Sequence, residues 1–251
     1  MLKSIPHGAV LELRLSRPPV NALSPELVAR LADAVRAAAR DGARAIVLSG
    51  APGCFSAGLD VPLLLGLDRA EMAAFWHGFV DLLAALGRSP IPVAAAVTGH
   101  SPAGGAVLAL FCDYRVLARG DYRIGLNEVQ VGLSVPPVVQ LALRRVVGAH
   151  RAERLTVAGA MLGPDDALRV GLVDELADVD DVVGAALAWC RQHVDLPPAA
   201  MGETRRVARA DLDAALVAAA GSESPEFLER WFGDEAQALL TELVASLQRK
   251  A

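Results

Sequence analysis

Along the chain, short apolar runs alternate with longer stretches whose apolar residues return every three or four positions. The runs at Ala9–Leu15, Ala45–Leu48, Pro92–Val97, Tyr114–Leu117 and Leu172–Leu176 predict strands. Ser24-Pro25-Glu26 predicts a helix start, a capping serine followed by proline in the first turn, and Leu27, Leu31, Ala34, Val35 and Ala38 then recur at helical spacing. The same logic places helices near Arg69–Leu86, Val138–Val147 and Pro164–Val170. Strands alternating with helices predict an α/β core of repeated crossover units, although no exact sequence repeat accompanies them.

After Val194 the texture changes. The stretch "DLPPAAMGETRRVARADLDAAL" carries a proline pair and then reads as helix, with no further strand signal. Residues 1–194 are therefore expected to form the α/β core, and residues 195–251 a helical C-terminal region. Its last helix is predicted to start at Ser224-Pro225-Glu226 and to carry Phe227, Leu228, Trp231, Phe232, Leu239, Leu240, Leu243 and Leu247 on one broad apolar face. That face needs a surface to bury it, and the pattern fits the chain's own core and a second subunit equally well.

The 251 residues allow one large domain with a well-buried core, and a composition 53% hydrophobic and 21% charged excludes general disorder. A net charge of -5 argues against a nucleic-acid partner, which demands a dense basic face. Runs such as "PVAAAV" are too short to span a bilayer. The start, "MLKSIPHGAVLELRL", carries Pro6, His7 and Gly8 in place of an apolar leader segment, so the expected location is cytoplasmic. Cys54, Cys112 and Cys190 give neither a disulfide framework nor a metal motif. The histidines at 7, 77, 100, 150 and 193 form no i, i+4 pair, and no metal site is expected.

The most informative stretch is "GHSPAGGAVLALFCDY", Gly99 to Tyr114. A nucleophilic serine at Ser101 would need an amide donor on the next residue, but Pro102 has no N–H, and Ala103 stands where that motif requires glycine. A phosphate loop would need lysine and a hydroxyl residue after its second glycine, where Gly105-Ala106 stand. What remains is a helix opening at Pro102, capped by Ser101, whose free first-turn amides stabilise an oxyanion. A glycine-rich start that serves only close packing fits the turn equally well.

Two other segments bear on that choice. "CFSAGLD", Cys54 to Asp60, again sets small residues and a free amide before a helix start. "RIGLNEVQVGL" places one carboxylate, Glu128, among Ile124, Leu126, Val129, Val131 and Leu133, where desolvation would raise its pKa toward that of a general base. The alternative for Glu128 is a salt-bridged or capping carboxylate.

Taken together, "PPVNALS" (Pro18 to Ser24), "FSAGLD" (Phe55 to Asp60), "PAGGAVLAL" with "CDYRVLA" (Pro102 to Ala118), and "IGLNEVQVGLSVP" (Ile124 to Pro136) resemble the crotonase superfamily. "RAERLTVAG" and "DALRVGLVDEL" continue the likeness, which is nearest to the mitochondrial-type delta3-delta2-enoyl-CoA isomerases. The resemblance implies an α/β crotonase fold, a spiral of ββα units with a helical C-terminal trimerisation region, and assembly as a homotrimer or dimer of trimers. It therefore inclines the aromatic C-terminal face toward subunit contact.

The resemblance further implies an acyl-CoA thioester ligand whose carbonyl lies between the backbone amides of Leu59 and Gly104, with no cofactor beyond the coenzyme A of the substrate. Ala57 matches the position whose carbonyl contacts the adenine; Gly58, Asp60, Ala103, Gly105 and Asn127 complete the expected binding set. Hydratases of the superfamily carry two glutamates, and the first of these falls on Val107 here while the second falls on Glu128. Dienoyl-CoA isomerases add an aspartate where Pro136 stands.

A lone carboxylate suits a proton shuttle that moves a double bond from position 3 to position 2, with Glu128 as general acid and base. A hydratase or other lyase, and a non-catalytic acyl-CoA-binding subunit, are the alternatives. Asp60 and Asp113 read more simply as capping or ion-paired acids, with Arg115 as a partner for Asp113. Arg17, or Arg249 and Lys250, are candidates to meet the coenzyme A phosphates. The acyl pocket is expected from Leu63–Leu67 and the helix beyond.

Overall fold

The computed structural model describes residues 1–221 and 225–249. In chain order the elements are β1 (Leu2–His7), β2 (Val10–Leu15), α1 (Pro25–Arg40), β3 (Ala45–Ser49), β4 (Gly53–Cys54), α2 (Val61–Leu64), α3 (Arg69–Gly87), β5 (Val93–Val97), β6 (Gly99–Pro102) and α4 (Gly104–Leu110). They continue with β7 (Tyr114–Ala118), β8 (Ile124–Gly125), a 3-10 turn (Glu128–Val131), α5 (Pro137–Val147), α6 (Ala149–Val157), α7 (Pro164–Val170), β9 (Glu175–Ala177) and α8 (Val182–Arg191). The C-terminal helices are α9 (Pro198–Ala208), α10 (Ala210–Gly221), α11 (Pro225–Trp231) and α12 (Asp234–Gln248).

Six strands form one sheet in the order β1-β2-β3-β5-β7-β9, antiparallel between β1 and β2 and parallel thereafter. Its central strands, "AIVLS" and "VAAAV", are buried along their whole length, as parallel strands covered on both faces must be. The pleat sorts their side chains between two cores. Ile46, Leu48, Val93, Ala95 and Val97 join the main core, whereas Ala45, Val47, Ala94 and Ala96 pack with Val182, Ala186, Leu187 and Cys190 of α8.

Three of the long strands hand the chain to a short strand of a second sheet, ordered β4-β6-β8 and parallel throughout: β3 leads to β4, β5 to β6 and β7 to β8. Each short strand then leads toward helix, which gives the ββα spiral. This is the crotonase fold. Several predicted elements agree closely. Ser24 caps α1 through Leu27 N–H, donated to its Oγ at 3.3 Å, and α7 spans the predicted residues.

Other expectations need correction. Ser101 is not a helix cap and Pro102 is not the first helical residue. Both lie in β6, where Ser101 pairs with Ile124 and Pro102 with Gly125, and the helix begins two residues later at Gly104. The strand expected at Leu172–Leu176 runs instead over Glu175–Ala177, because Gly171 ends α7 in the left-handed conformation and Leu172 N–H still bonds back to Ala167.

The single long C-terminal helix is two, α11 and α12, separated at Gly233; the expected start at Ser224 lies outside the described residues. Part of its apolar face is buried in its own chain, while Phe227, Phe232, Leu239 and Leu243 stay half-buried and Leu247 is exposed. Trp231 and Leu240 are fully inaccessible and Leu228 nearly so, all within the main core, so subunit contact is not what covers them.

Arginines tie the C-terminal helices down. Arg205 pairs with Asp113 at 3.0 Å and donates to the carbonyls of Leu86, Gly87 and Ser89 at the end of α3; Arg209 reaches Asp113 at 2.7 Å and the Phe111 and Cys112 carbonyls. These cations satisfy helix-end carbonyls that would otherwise lack donors. Asp113 is therefore a structural acid, and its partners are Arg205 and Arg209 rather than Arg115, which pairs with Asp174 at 2.8 Å.

No helix among the described residues is long and apolar enough to cross a membrane.

Candidate active site

The three strands of the small sheet deliver three segments to one place. Beyond β4 runs "FSAGLD", beyond β6 comes Ala103 and α4, and beyond β8 come Asn127 and Glu128. The ends of parallel strands are where α/β folds place ligands. Here a cavity of about 580 Å³ is lined by Ala57, Leu59, Asp60, Ala103, Gly104, Val107, Asn127 and Glu128, together with Arg17 and Val20 from the loop before α1. Trp76 and Phe79 of α3, Val131 and Leu133, Phe227 of α11, and Leu243 and Leu247 of α12 complete its apolar walls.

Contact between the first two segments is close enough to require glycine. Gly58 has φ +86, and a Cβ there would lie 3.1 Å from the Gly104 nitrogen; a Cβ on Gly105 would lie 2.5 Å from the Ser56 carbonyl oxygen. Neither residue lines the cavity, so these two expected binding residues act by letting the loops meet.

The juxtaposition sets two backbone amides side by side. A Cβ on Gly104 would stand 3.3 Å from the Leu59 nitrogen, so its absence leaves the space before that amide open. Leu59 sits in a bridge to Leu23 whose hydrogen bonds run through its neighbours, Leu23 N–H to Gly58 and Asp60 N–H to Leu23, so its own N–H is left over. Gly104 N–H opens α4 and likewise has no acceptor among the described residues. Two unpaired donors in one cavity wall can bind a developing oxyanion.

Ala103, between β6 and α4, takes φ 44 and ψ −116, a conformation rare for any residue but glycine. Its amide donates to the Gly125 carbonyl at 2.8 Å and its carbonyl accepts from Val107 N–H at 2.9 Å, and these bonds hold the turn that aims Gly104. A strand, one strained residue and a helix make up an elbow of the kind that carries nucleophiles elsewhere. In this chain the elbow residue offers a methyl group, while Ser101 is wholly buried two residues earlier.

Glu128 opens the 3-10 turn, and its Oε2 is buried with no hydrogen-bond partner, as is Oδ1 of the adjacent Asn127. Burial pushes the Glu128 carboxyl up to about 7, with only its own backbone N–H pulling the other way. The salt-bridged alternative for Glu128 is thus not what the structure holds. Asp60 is the opposite case. Its carboxylate pairs with Arg17 at 2.5 Å and caps α2 by accepting from Leu63 N–H at 3.2 Å. Among the described residues lining the cavity, Glu128 is the acid without a cation.

Arg17 also donates to the Ala22 carbonyl, and it stands at the cavity with its charge already matched by Asp60. Arg249 ends α12, and Lys250 lies outside the described residues. Of the wall expected from Leu63–Leu67 and the helix beyond, the helix, α3, supplies Trp76 and Phe79, but Val61 and Pro62 take the place of Leu63–Leu67: Leu64 turns into the core and Leu63 is substantially exposed.

Asn21 is the residue that the sequence did not single out. At φ 52 it accepts from Arg17 N–H through Oδ1 and donates to the Phe55 carbonyl at 3.1 Å, which fixes the loop before α1 against "FSAGLD". Asn tolerates that left-handed conformation, and its place in "PPVNALS" was the available signal.

The family model for enoyl-CoA hydratase/isomerase matches residues 6–240. The chain belongs to the enoyl-CoA hydratase/isomerase family. Within that family it is 35% identical to the human mitochondrial enoyl-CoA delta isomerase 1 over 205 residues, 80% of this chain and 68% of the relative. It is also 38% identical over 204 residues to the probable enoyl-CoA hydratase echA17 of Mycobacterium avium, covering 80% of this chain and 77% of that one. The crystal structure of human mitochondrial delta3-delta2-enoyl-CoA isomerase superposes with a TM-score of 0.95 at 31% identity, covering 99% of this chain and 98% of the other.

Proposed function

We propose that this family member is an isomerase that shifts the double bond of 3-enoyl-CoA thioesters to give 2-trans-enoyl-CoA. The observation that carries the reading is the unpaired carboxylate: among the described residues Glu128 lines the cavity without a cation, and Val107 gives the same cavity a buried isopropyl group. In this mechanism the thioester oxygen lies against the Leu59 and Gly104 amides. Glu128, as carboxylate, takes a proton from C2; the C2–H electron pair moves into the thioester, giving a dienolate whose oxygen is held by the two amides. The double bond moves from C3–C4 to C2–C3 as the protonated Glu128 returns the proton to C4. The proton is conserved, and the site needs no second acid.

A pKa near 7 suits a group that must be a base in one half-reaction and an acid in the next. The apolar wall keeps water from the dienolate. A hydratase of this architecture needs groups to orient and deprotonate water as well as to protonate carbon, and Val107 can do neither. The likeness to the mycobacterial hydratase keeps hydration as the second reading.

The substrate class proposed is an acyl-CoA, bound without a further cofactor by a homotrimer or dimer of trimers. Product analysis separates the readings: 3-enoyl-CoA should be converted to the 2-trans isomer, with crotonyl-CoA hydrated at least about a hundredfold more slowly. Rapid hydration of crotonyl-CoA with no isomer formed would overturn the isomerase reading.

A further inference from the structure

Beyond the active-site cavity lies a second one of about 530 Å³, enclosed by α3, the start of α5, α10 and α11. The two cavities share Trp76, Ser134, Pro136 and Phe227 as lining. The partition between them is aromatic. Trp76 and Phe227 stack with centroids 3.6 Å apart and planes within 12°, and Trp76 stays almost wholly buried. Val80, Val138, Leu141 and Ala215 make the far walls apolar, and the charged residue there, Glu226, is exposed.

The two halves of the partition are held differently. Trp76 sits in the middle of a 19-residue helix against Phe79, inside the main core. Phe227 sits on the seven-residue α11, which the Arg69–Glu229 ion pair, 2.8 Å long and exposed, ties to the start of α3. Arg69 also lies over the Phe232 ring, 5.1 Å from its centroid. An aromatic wall between two apolar spaces, with one ring fixed and the other on a short helix, marks where an apolar ligand must stop.

We propose that the second cavity is a latent distal acyl subsite and that the Trp76–Phe227 stack closes it, setting the acyl length this enzyme accepts. The proposal rests on the acyl-CoA reading above. Short acyl chains end before the stack, whereas a long chain must displace Phe227 to enter the second cavity. Removing that ring joins the two spaces, and each further methylene then buried is worth about fourfold in affinity.

The test is a titration of butyryl-, octanoyl- and palmitoyl-CoA, which are saturated and bind without turnover, against wild type, Phe227→Ala and the milder Phe227→Leu. Phe227→Ala should tighten palmitoyl-CoA by at least about tenfold while moving butyryl-CoA by less than about threefold. Phe227→Leu, which keeps α11 packed, should shift the profile in the same direction by less. Refilling the second cavity with Ala215→Phe in the Phe227→Ala background should restore the wild-type preference.

An unchanged length profile in both Phe227 variants, or a gain that Ala215→Phe does not reverse, would overturn the role of the stack. Failure of the wild type to bind any of the three thioesters would instead overturn the acyl-CoA reading itself.

Discussion

Two desolvated glutamates, one inside the large sheet and one at the cavity, meet opposite fates. Glu12, on β2, is completely inaccessible, yet it accepts from Ser49 Oγ at 2.6 Å and Arg14 Nε at 2.8 Å and lies 2.8 Å from His7 Nε2. Burial is the largest influence on it and acts to raise its pKa, but those three hydrogen bonds together with the Arg14 charge leave it below the ordinary carboxylate value. Glu128 is half-buried as a residue, but its Oε2 is sealed from solvent with no partner, and desolvation pushes its carboxyl up to about 7. Desolvation alone does not make a general base; desolvation without donors does.

The sharpest way to break this comparison is Glu128→Gln. As the proposed proton shuttle, it should lose about 10² to 10⁴ in kcat while octanoyl-CoA binding stays within about threefold. The same variant carries a stability signature with a definite sign. The raised pKa means that the folded protein binds more protons than the unfolded chain between pH 4.5 and about 7, so wild-type stability falls as pH rises through that window. Glu128→Gln removes that fall. Denaturant melts should show the variant gaining on wild type from pH 4.5 upward and levelling off above about 7. Parallel curves would mean that the carboxyl is not desolvated.

Glu12→Gln should do the reverse. A lowered carboxylate pKa stabilises the fold above the ordinary value of 4.5, and that stabilisation is lost as pH falls below it through the folded value. Because Arg14 and His7 are partly exposed and solvent screens them, the loss at neutral pH is put at about 2 kcal/mol, with turnover unchanged. Urea melts at neutral and acid pH check it. A variant as stable as wild type at neutral pH would show that the three partners contribute nothing net.

The fate of Glu128 was legible as one of two readings, a desolvated base or a salt-bridged or capping carboxylate, whereas Glu12 was not singled out. "VLELRL" sets Arg14 two residues after Glu12, and His7 stands five residues before it, whereas "LNEVQV" holds no cation; the remaining donor to Glu12 comes from a distant strand. Ser49 reaches Glu12 from 37 positions away; among the described residues no side chain reaches Glu128 Oε2. Asp113 teaches the same lesson: the nearby Arg115 is the obvious partner on paper, but Arg205 and Arg209 arrive from 92 and 96 positions along the chain. Local signals served better where local physics governs, as at the Ser24 cap and the short apolar runs that became β3 and β5.

They failed at β4 and β8, two residues each, which are too short to leave a period. The motif residues of the site were legible through the resemblance, segment by segment. Its far wall was legible only in part: the helix that carries Trp76 was expected there, but Phe227, Leu243 and Leu247 join it only when the C-terminal helices fold back over the cavity.

The smallest expected effect lies at Ala103, where the cavity region carries backbone strain in place of missing partners. A non-glycine residue at φ 44, ψ −116 costs about 1–3 kcal/mol, and the hydrogen bonds to Gly125 and from Val107 hold it there. Ala103→Gly relieves that strain but gives the unfolded chain more freedom, worth about 0.4–1 kcal/mol in the other direction. The net should be a gain of about 1 kcal/mol in stability. Because the relaxed turn fixes the Gly104 amide less firmly, kcat should fall by roughly threefold, well short of the hundredfold or more that losing an oxyanion donor costs. Melting curves and steady-state rates on the same preparation decide it: a destabilised variant would mean that Ala103 is at ease in this turn, and a stabilised one with undiminished kcat would mean that the turn's rigidity does not serve the amide.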